Sequence, residues 1–324
     1  MTIPHRRERS SSSANTNSFS GVRLDKKKRV LIDNNLIEYY LMDPTGNITV
    51  LVVSFVSKEN RAYIAGRLME AEPSCEQVGY VQLPETDAKL ISGRDKEVDI
   101  ILNMSAGEFC GNATMSTAAL FCKNLGTSIG ESQKVVVDSS GAENPIAVDI
   151  TTQDSESGIY SGRVNMPRPR HIYFHKFTYD GAVYELPVVD FGGISHIPMM
   201  LNDKDVIAFT EGRNVSDVSL RDKAEKAVRK WCADIDADGL GLLFVDNNNN
   251  YVNQIKMFPL VYIPGCDSCF WENSCGSGTC AAGAYFSYVL EDKNVMLQVL
   301  QPGGSLSVEV ADNEYYLGGS VKIL

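Results

Sequence analysis

No uninterrupted apolar run in this sequence approaches the ~18 residues that a membrane-crossing helix needs. The start is polar and basic, where a secretory leader would carry an apolar core. Together these absences exclude a helical membrane protein and a membrane partner, and they predict a cytoplasmic one. A Gly-rich phosphate loop is missing as well, so the sequence makes no provision for a phosphate-bearing cofactor. Positive charge is scarce: the formal net charge is −11, and residues 1–30 alone hold eight Lys/Arg against Glu8 and Asp25. That leaves −17 on the remainder, a body too acidic to wrap nucleic acid. The Ser-rich basic segment 1–29 reads as a disordered tail.

Apolar residues and cysteines are plentiful. At 324 residues with 44% hydrophobic content, the chain can bury one large core or two of ordinary size. Eight cysteines without a secretory leader predict reduced thiols used for packing, metal or catalysis. Four of them, Cys266, Cys269, Cys275 and Cys280, fall within fifteen residues, which raises a zinc or thiol-redox module as a reading of another class. Against zinc, the last two flank Gly-Ser-Gly-Thr at a helix start and do not form knuckle pairs.

Regular structure is expected from Val30. Residues 37–41 and 48–53 are β-branched and aromatic, and Asp43-Pro44-Thr45-Gly46-Asn47 between them is turn chemistry, which predicts two strands with Asn47 at the loop exit. Ile64, Leu68 and Ala71 predict a helix over 59–71, stopped by Glu72-Pro73-Ser74. Strands follow at the end of 75–81 and at 98–104, 134–137, 146–150 and 162–166, and Pro167-Arg168-Pro169-Arg170 marks a domain boundary. The second half repeats the style with a strand at 183–189, a turn over 191–196, a helix around 220–233, and strands at 241–245 and 254–261. A polar loop tip over 246–250, a turn over 301–305, alternation at Leu306, Val308 and Val310, and a closing strand over 315–323 complete it.

The stretch 104–120 organises the rest. Its Cys110-Gly111-Asn112-Ala113-Thr114 is echoed 165 positions later by Cys275-Gly276-Ser277-Gly278-Thr279, and both copies run into Ala-rich sequence. Each places a cysteine at the head of a candidate helix, where unpaired backbone N–H groups and the positive end of the dipole favour anions. One such anion is the thiolate, whose pKa is expected to be lowered there. The other is a substrate carboxylate, held by the amides of Gly111, Asn112, Gly276 and Ser277. If both helices face one α-carbon, one thiolate removes its proton and the opposite thiol returns one to the other face, inverting the centre. Neither a metal nor another cofactor enters that scheme, and the substrate is a small molecule. Of the six other cysteines, Cys122, Cys232, Cys266, Cys269 and Cys280 read as buried packing residues. A redox role for Cys110 and Cys275 is disfavoured because neither sits in a Cys-x-x-Cys motif.

With Pro44-Thr45-Gly46-Asn47 and Gln301-Pro302-Gly303-Gly304-Ser305, the stretches Met104–Ser116 and Trp271–Thr279 occur in an order that resembles the diaminopimelate epimerase fold family. The likeness spans nearly all of residues 36–324. It implies an α+β fold of two pseudo-symmetric domains, each a curled, mostly antiparallel sheet around a central helix, with the active site in the cleft. The halves would be 30–167 with 313–324, and 168–312. Within that family the wording around both cysteines, with Cys75-Glu76-Gln77-Val78-Gly79-Tyr80, is most similar to the cofactor-independent histidine racemases of staphylopine-type metallophore biosynthesis. By that likeness Cys110 and Cys275 are the two bases, Glu76 and Glu272 contact substrate, Asn47 sits at the ligand, and the enzyme is an amino-acid racemase and a homodimer. Departures from the epimerase pattern are Asn273-Ser274 after Glu272, where that enzyme has Arg and a longer Gly-rich spacer, and Gly192-Gly193-Ile194-Ser195-His196. They set the symmetric diamino diacid behind a smaller amino acid. His196 lines the cleft or is a satisfied structural residue.

Overall fold

The computed structural model describes residues 26–84, 98–247 and 253–324. Most of the 1–29 tail expectation and part of the 246–250 loop tip fall outside them. The tail's last residues do not: Lys28 and Arg29 open strand β1 (Lys28–Ile32), and Lys26 Nζ donates to the carbonyls of Ser157 and Ile323 at 2.7 and 2.6 Å.

Eight strands hydrogen-bond into a closed ring. They are β2 (Asn35–Pro44), β3 (Thr49–Val52), β4 (Gln77–Gln82), β5 (Ile100–Met104), β6 (Ser132–Ser139), β7 (Ile146–Asp154), β8 (Ile159–Met166) and β17 (Glu314–Ile323), the last pairing with both β8 and β2. Inside it runs helix α2 (Gly111–Leu125), eleven of whose fifteen residues are buried. A helix apolar all round belongs in a core, and its Ala, Ser and Thr positions are small enough to let strands approach on several sides. Helix α1 (Arg61–Ala71) packs outside the ring through Ile64, Ala65 and Leu68.

Beyond β17 the sheet continues as an open row. It holds β9 (His171–Tyr179), β10 (Ala182–Asp190), β11 (Ser195–Met200), β12 (Leu240–Asp246), β13 (Gln254–Ile263), β15 (Asn294–Gln301) and β16 (Gly304–Ala311), with β14 (Ser268–Trp271) beside β13. Helix α5 (Gly276–Leu290) lies against β15 and β16 as α2 lies in the ring, and Gly283 permits it: a Cβ there would come within 2.8 Å of Val308. Helices α3 (Lys204–Thr210) and α4 (Val218–Asp234) cover a second core around Phe177, Phe209 and Trp231. The fold is mixed α+β, with five α-helices among the described residues.

The expected strands and helices occur with shifted ends, and β1, β9, β11, α3, β14 and β15 add to them. The turn expected over 191–196 stops at Ile194, because Ser195 and His196 begin β11, a strand buried along its whole length between β10 and β12. A strand buried on both faces shows no alternation, so periodicity does not mark it. No helix among the described residues is long and apolar enough to cross a membrane.

Candidate active site

Cys110 and Cys275 are the N-caps of α2 and α5, and the two caps are built alike. Their backbones are extended, with φ/ψ of −131°/112° and −117°/111°. Each sulfur accepts the amide three residues on: Ala113 N at 3.4 Å from Cys110 Sγ, Gly278 N at 3.3 Å from Cys275 Sγ. Each threonine four residues past the cap donates its hydroxyl back to the cap carbonyl, Thr114 at 2.8 Å and Thr279 at 2.7 Å. The repeated Cys-Gly-polar-small-Thr is thus a capping device in which sulfur replaces the usual Ser or Asp oxygen.

The two caps also converge. A methyl group on Gly111 would lie 3.1 Å from Leu317 Cδ2, and one on Gly276 would lie 2.8 Å from the same atom. Asn112 Nδ2 crosses from α2 to donate to Ser274 O at 3.2 Å, and an added Gly276 Cβ would be 3.3 Å from Asn112 Oδ1. Two helix N-termini therefore meet from different parts of the sheet. Glycine at the second position lets Leu317 and Met166 pack close: a Cβ there would come within about 2.8 Å of their side-chain ends, which would have to move aside.

Electrostatics depart from expectation in one respect. Helix N-termini were expected to lower both thiols. Burial outweighs that pull and pushes Cys110 up to about 12, while the Ala113 amide and the Gln77 side chain pull the other way. Cys275 is likewise pushed well above its ordinary value by burial and by the neighbouring Glu272 carboxylate, against the Ser277 hydroxyl and the Gly278 amide. Before substrate arrives, both sulfurs are held as thiols. Glu272 accepts a hydrogen bond from the Cys275 thiol, and burial raises its carboxyl to about 7.

Asn47, Glu76 and Asn112 form one network with the caps. Asn47 Nδ2 donates to Glu76 Oε2 at 2.5 Å, while Asn47 Oδ1 accepts from Gln77 and, at 3.3 Å, from Asn112. Burial raises the Glu76 carboxyl, and the Asn273 and Asn47 amides pull it back. All nine residues singled out from the sequence are therefore joined by direct contacts or shared neighbours.

His196 does not line an open cleft. It is fully buried, its Nε2 lies 2.9 Å from Ser277 Oγ, and Ser277 Oγ lies 3.6 Å from Cys275 Sγ. Burial lowers the imidazole to about 3, so it is neutral, and Gly241 makes the room for it.

Sequence reasoning did not select Gln77, Glu108 or Gln301. Gln301 Oε1 accepts Cys275 N–H at 2.8 Å and its Nε2 donates to Thr279 Oγ1 at 2.9 Å. Glu108 lies two residues before Cys110 with one shielded carboxyl oxygen that has no hydrogen-bond partner. Gln77 adjoins Glu76 and Glu108 lies two residues from Cys110, a proximity in the chain available in advance. Gln301 had only its place at the head of the Pro-Gly-Gly turn. Cys122, Cys232 and Cys280 are buried in the cores as expected, Cys269 is only partly buried against the second core, and the Cys266 side chain lies outside the described set.

The architecture is shared with solved racemase and epimerase structures. A probable proline racemase from Agrobacterium radiobacter superposes with a TM-score of 0.58 at 12% identity over 89% of this chain and 90% of that one. A hydroxyproline epimerase from Agrobacterium vitis does so with a TM-score of 0.57 at 11% identity over 93% and 94%. At those identities the likeness defines a fold class. Sequence narrows it: the model of the histidine racemase CntK N-terminal domain matches residues 36–323, and the chain belongs to that family. A histidine racemase from Fusobacterium nucleatum is 28% identical over 292 residues, 89% of this chain and 95% of the relative. One from Staphylococcus aureus is 29% identical over 280 residues, 86% and 89% of the two chains. The protein is accordingly an isomerase, an amino-acid racemase.

Proposed function

We propose that this enzyme interconverts L- and D-histidine by two-base proton transfer, with Cys110 and Cys275 on opposite faces of the α-carbon. The observation that carries the reading is the pair of matched cysteine caps converging over Leu317. The substrate carboxylate accepts from the amides of Gly111, Asn112, Gly276 and Ser277, which also stabilise the charge that develops on it as the Cα–H bond breaks. One sulfur first gives up its own proton, Cys275 to the Glu272 carboxylate that accepts its S–H; as thiolate it then takes the Cα proton while the opposite S–H delivers its own to the other face. The proton has then moved from one sulfur to the other, and the pair titrates as a unit. A thiol pushed up by burial makes a strong base once ionised, which suits a weakly acidic Cα–H. Asn47 and Glu76 take the substrate's remaining polar groups, and Glu272 bears on the Cys275 side. The scheme uses groups of the chain alone.

The halves of this reading are residues 30–167 with 313–324, and 168–312, each a sheet around its cysteine-headed helix. We place the enzyme in the cytoplasm as a homodimer.

The test is Cα–H exchange in deuterated water, followed by NMR with L-histidine, diaminopimelate and a panel of other amino acids, for the wild type and for Cys110→Ser and Cys275→Ser. Wild-type exchange and racemisation of histidine are expected, with a loss of racemisation of at least about 10³-fold in each variant at unchanged circular dichroism. Full turnover in either variant refutes the two-base assignment, and preference for diaminopimelate refutes the substrate.

A further inference from the structure

Glu76 is the one acidic side chain of the site whose two carboxylate oxygens are each held by a side-chain amide. Oε2 accepts from Asn47 Nδ2 and Oε1 from Asn273 Nδ2, both at 2.5 Å. Its backbone is fixed separately, Glu76 N donating to Ile48 O at 2.8 Å. Asn273 is fixed as firmly: its carbonyl accepts Gly303 N–H at 2.8 Å, so the exposed side chain is presented from an anchored backbone. Asn47 follows Gly46, whose backbone touches Gly303 so closely that a Cβ on Gly46 would lie 2.4 Å from Gly303 Cα. Loops from both ends of the chain thus close on one carboxylate.

Both donors in that closure are neutral. The two side chains that hydrogen-bond to Glu76, Asn47 and Asn273, are both amides, and they offset the rise that burial imposes on its carboxyl. On the other side of Asn273, Arg221 lines a cavity of about 130 Å³ with Trp271, Glu272, Asn273 and Pro302. It is engaged elsewhere, stacked 4.5 Å over the Trp271 ring with Nε donating to Val215 O at 3.1 Å. Each carboxylate oxygen has lone pairs left after one amide bond. A half-buried carboxylate that is oriented but not neutralised is a poor neighbour for an acidic or apolar side chain and a strong acceptor for N–H groups.

We propose that Asn273 is a specificity-determining positioning residue: by steadying Glu76 with a neutral amide, it keeps that carboxylate uncompensated as the acceptor for a substrate side chain bearing basic N–H groups. The proposal rests on the racemase reading of the site and names how the substrate side chain is selected. Asn273 acts through Glu76, so its effect falls on KM and on the choice among amino acids, with kcat little changed.

The experiment measures exchange kinetics in deuterated water for the full chain and for Asn273→Lys, Asn273→Leu and Glu76→Gln, with histidine and with leucine. Asn273→Lys pairs a cation with Glu76 and is expected to raise the histidine KM roughly 10- to 100-fold, the range of a lost charge-assisted hydrogen bond, with kcat within about threefold. Asn273→Leu, which removes the donor and adds no charge, is expected to raise it less. A histidine KM for Asn273→Lys within about twofold of wild type, or no greater than that of Asn273→Leu, overturns the proposal. Should Asn273→Lys not fold, Glu76→Gln carries the test, and an unchanged histidine KM overturns it. A wild type that exchanges no amino acid overturns the racemase reading and this proposal with it; wild-type exchange with unmoved KM values overturns this proposal alone.

Discussion

Replacing Gln301 by Leu is expected to cost stability and turnover together, for a reason visible in two hydrogen bonds. Gln301 is 8% exposed, and its Oε1 is the acceptor for the Cys275 N–H at 2.8 Å. Cys275 is an N-cap, so its amide has no acceptor within the helix, and Leu supplies none. The other bond, from Gln301 Nε2 to Thr279 Oγ1 at 2.9 Å, is less costly to lose, because the Thr279 hydroxyl still donates to Cys275 O at 2.7 Å. Leu and Gln are similar in size, so little cavity cost is added. One orphaned buried donor costs about 1–3 kcal/mol, and about 2 kcal/mol is expected here. Without its anchor the Cys275 cap loosens, and misplacement of a reacting sulfur is expected to lower kcat roughly 10- to 100-fold. Gln301→Glu is the informative partner. It keeps an acceptor for the amide but sets a carboxylate beside a thiol that Glu272 already pushes up, so its pH–rate profile should move to higher pH. Urea unfolding gives the stability change and isotope exchange gives kcat. A Gln301→Leu enzyme within about 0.5 kcal/mol of wild-type stability and within twofold in kcat would refute the argument.

Gly46→Ala is expected to damage the site from outside it. Gly46 has φ +88° and its added Cβ would meet Gly303 Cα at 2.4 Å, so about 1–3 kcal/mol of stability is lost and Asn47 is displaced, with kcat/KM falling; unfolding and steady-state assays check both. Acid stability carries the mark of His196. Its folded pKa of about 3 lies below its ordinary 6.5, so between those values the unfolded chain binds a proton that the native state refuses. Below pH 6.5 that group alone removes stability at up to about 1.4 kcal/mol per pH unit as the pH falls. Urea midpoints for wild type and His196→Gln between pH 7 and pH 5 test this, and parallel slopes would refute it.

Much of the fold was legible because local chemistry and final structure agree. The Asp43–Asn47 turn, the Ile64/Leu68/Ala71 spacing and the alternation through Leu306, Val308 and Val310 each predict an element that forms. Strand β11 escaped because both its faces are buried, and α3 because a helix of seven residues shows barely two turns of pattern. The candidate site was unusually legible, since duplication doubled a weak signal: a lone Cys-Gly-Asn is common, whereas two copies with matching Thr and Ala-rich followers are not.

By itself the sequence determined which two cysteines head helices, which glycines follow them, and which small residues let α2 and α5 be buried. Those are local properties, set by capping chemistry and by side-chain volume. Only the tertiary structure decided that one part of the sheet closes into a ring while the rest stays open, that Gln301 holds the Cys275 amide and Gln77 the Cys110 thiol, and that His196 is buried behind Ser277. It also reversed the expected direction of the thiol pKa values, because desolvation depends on what packs over a group from distant parts of the chain, and no local pattern reports that.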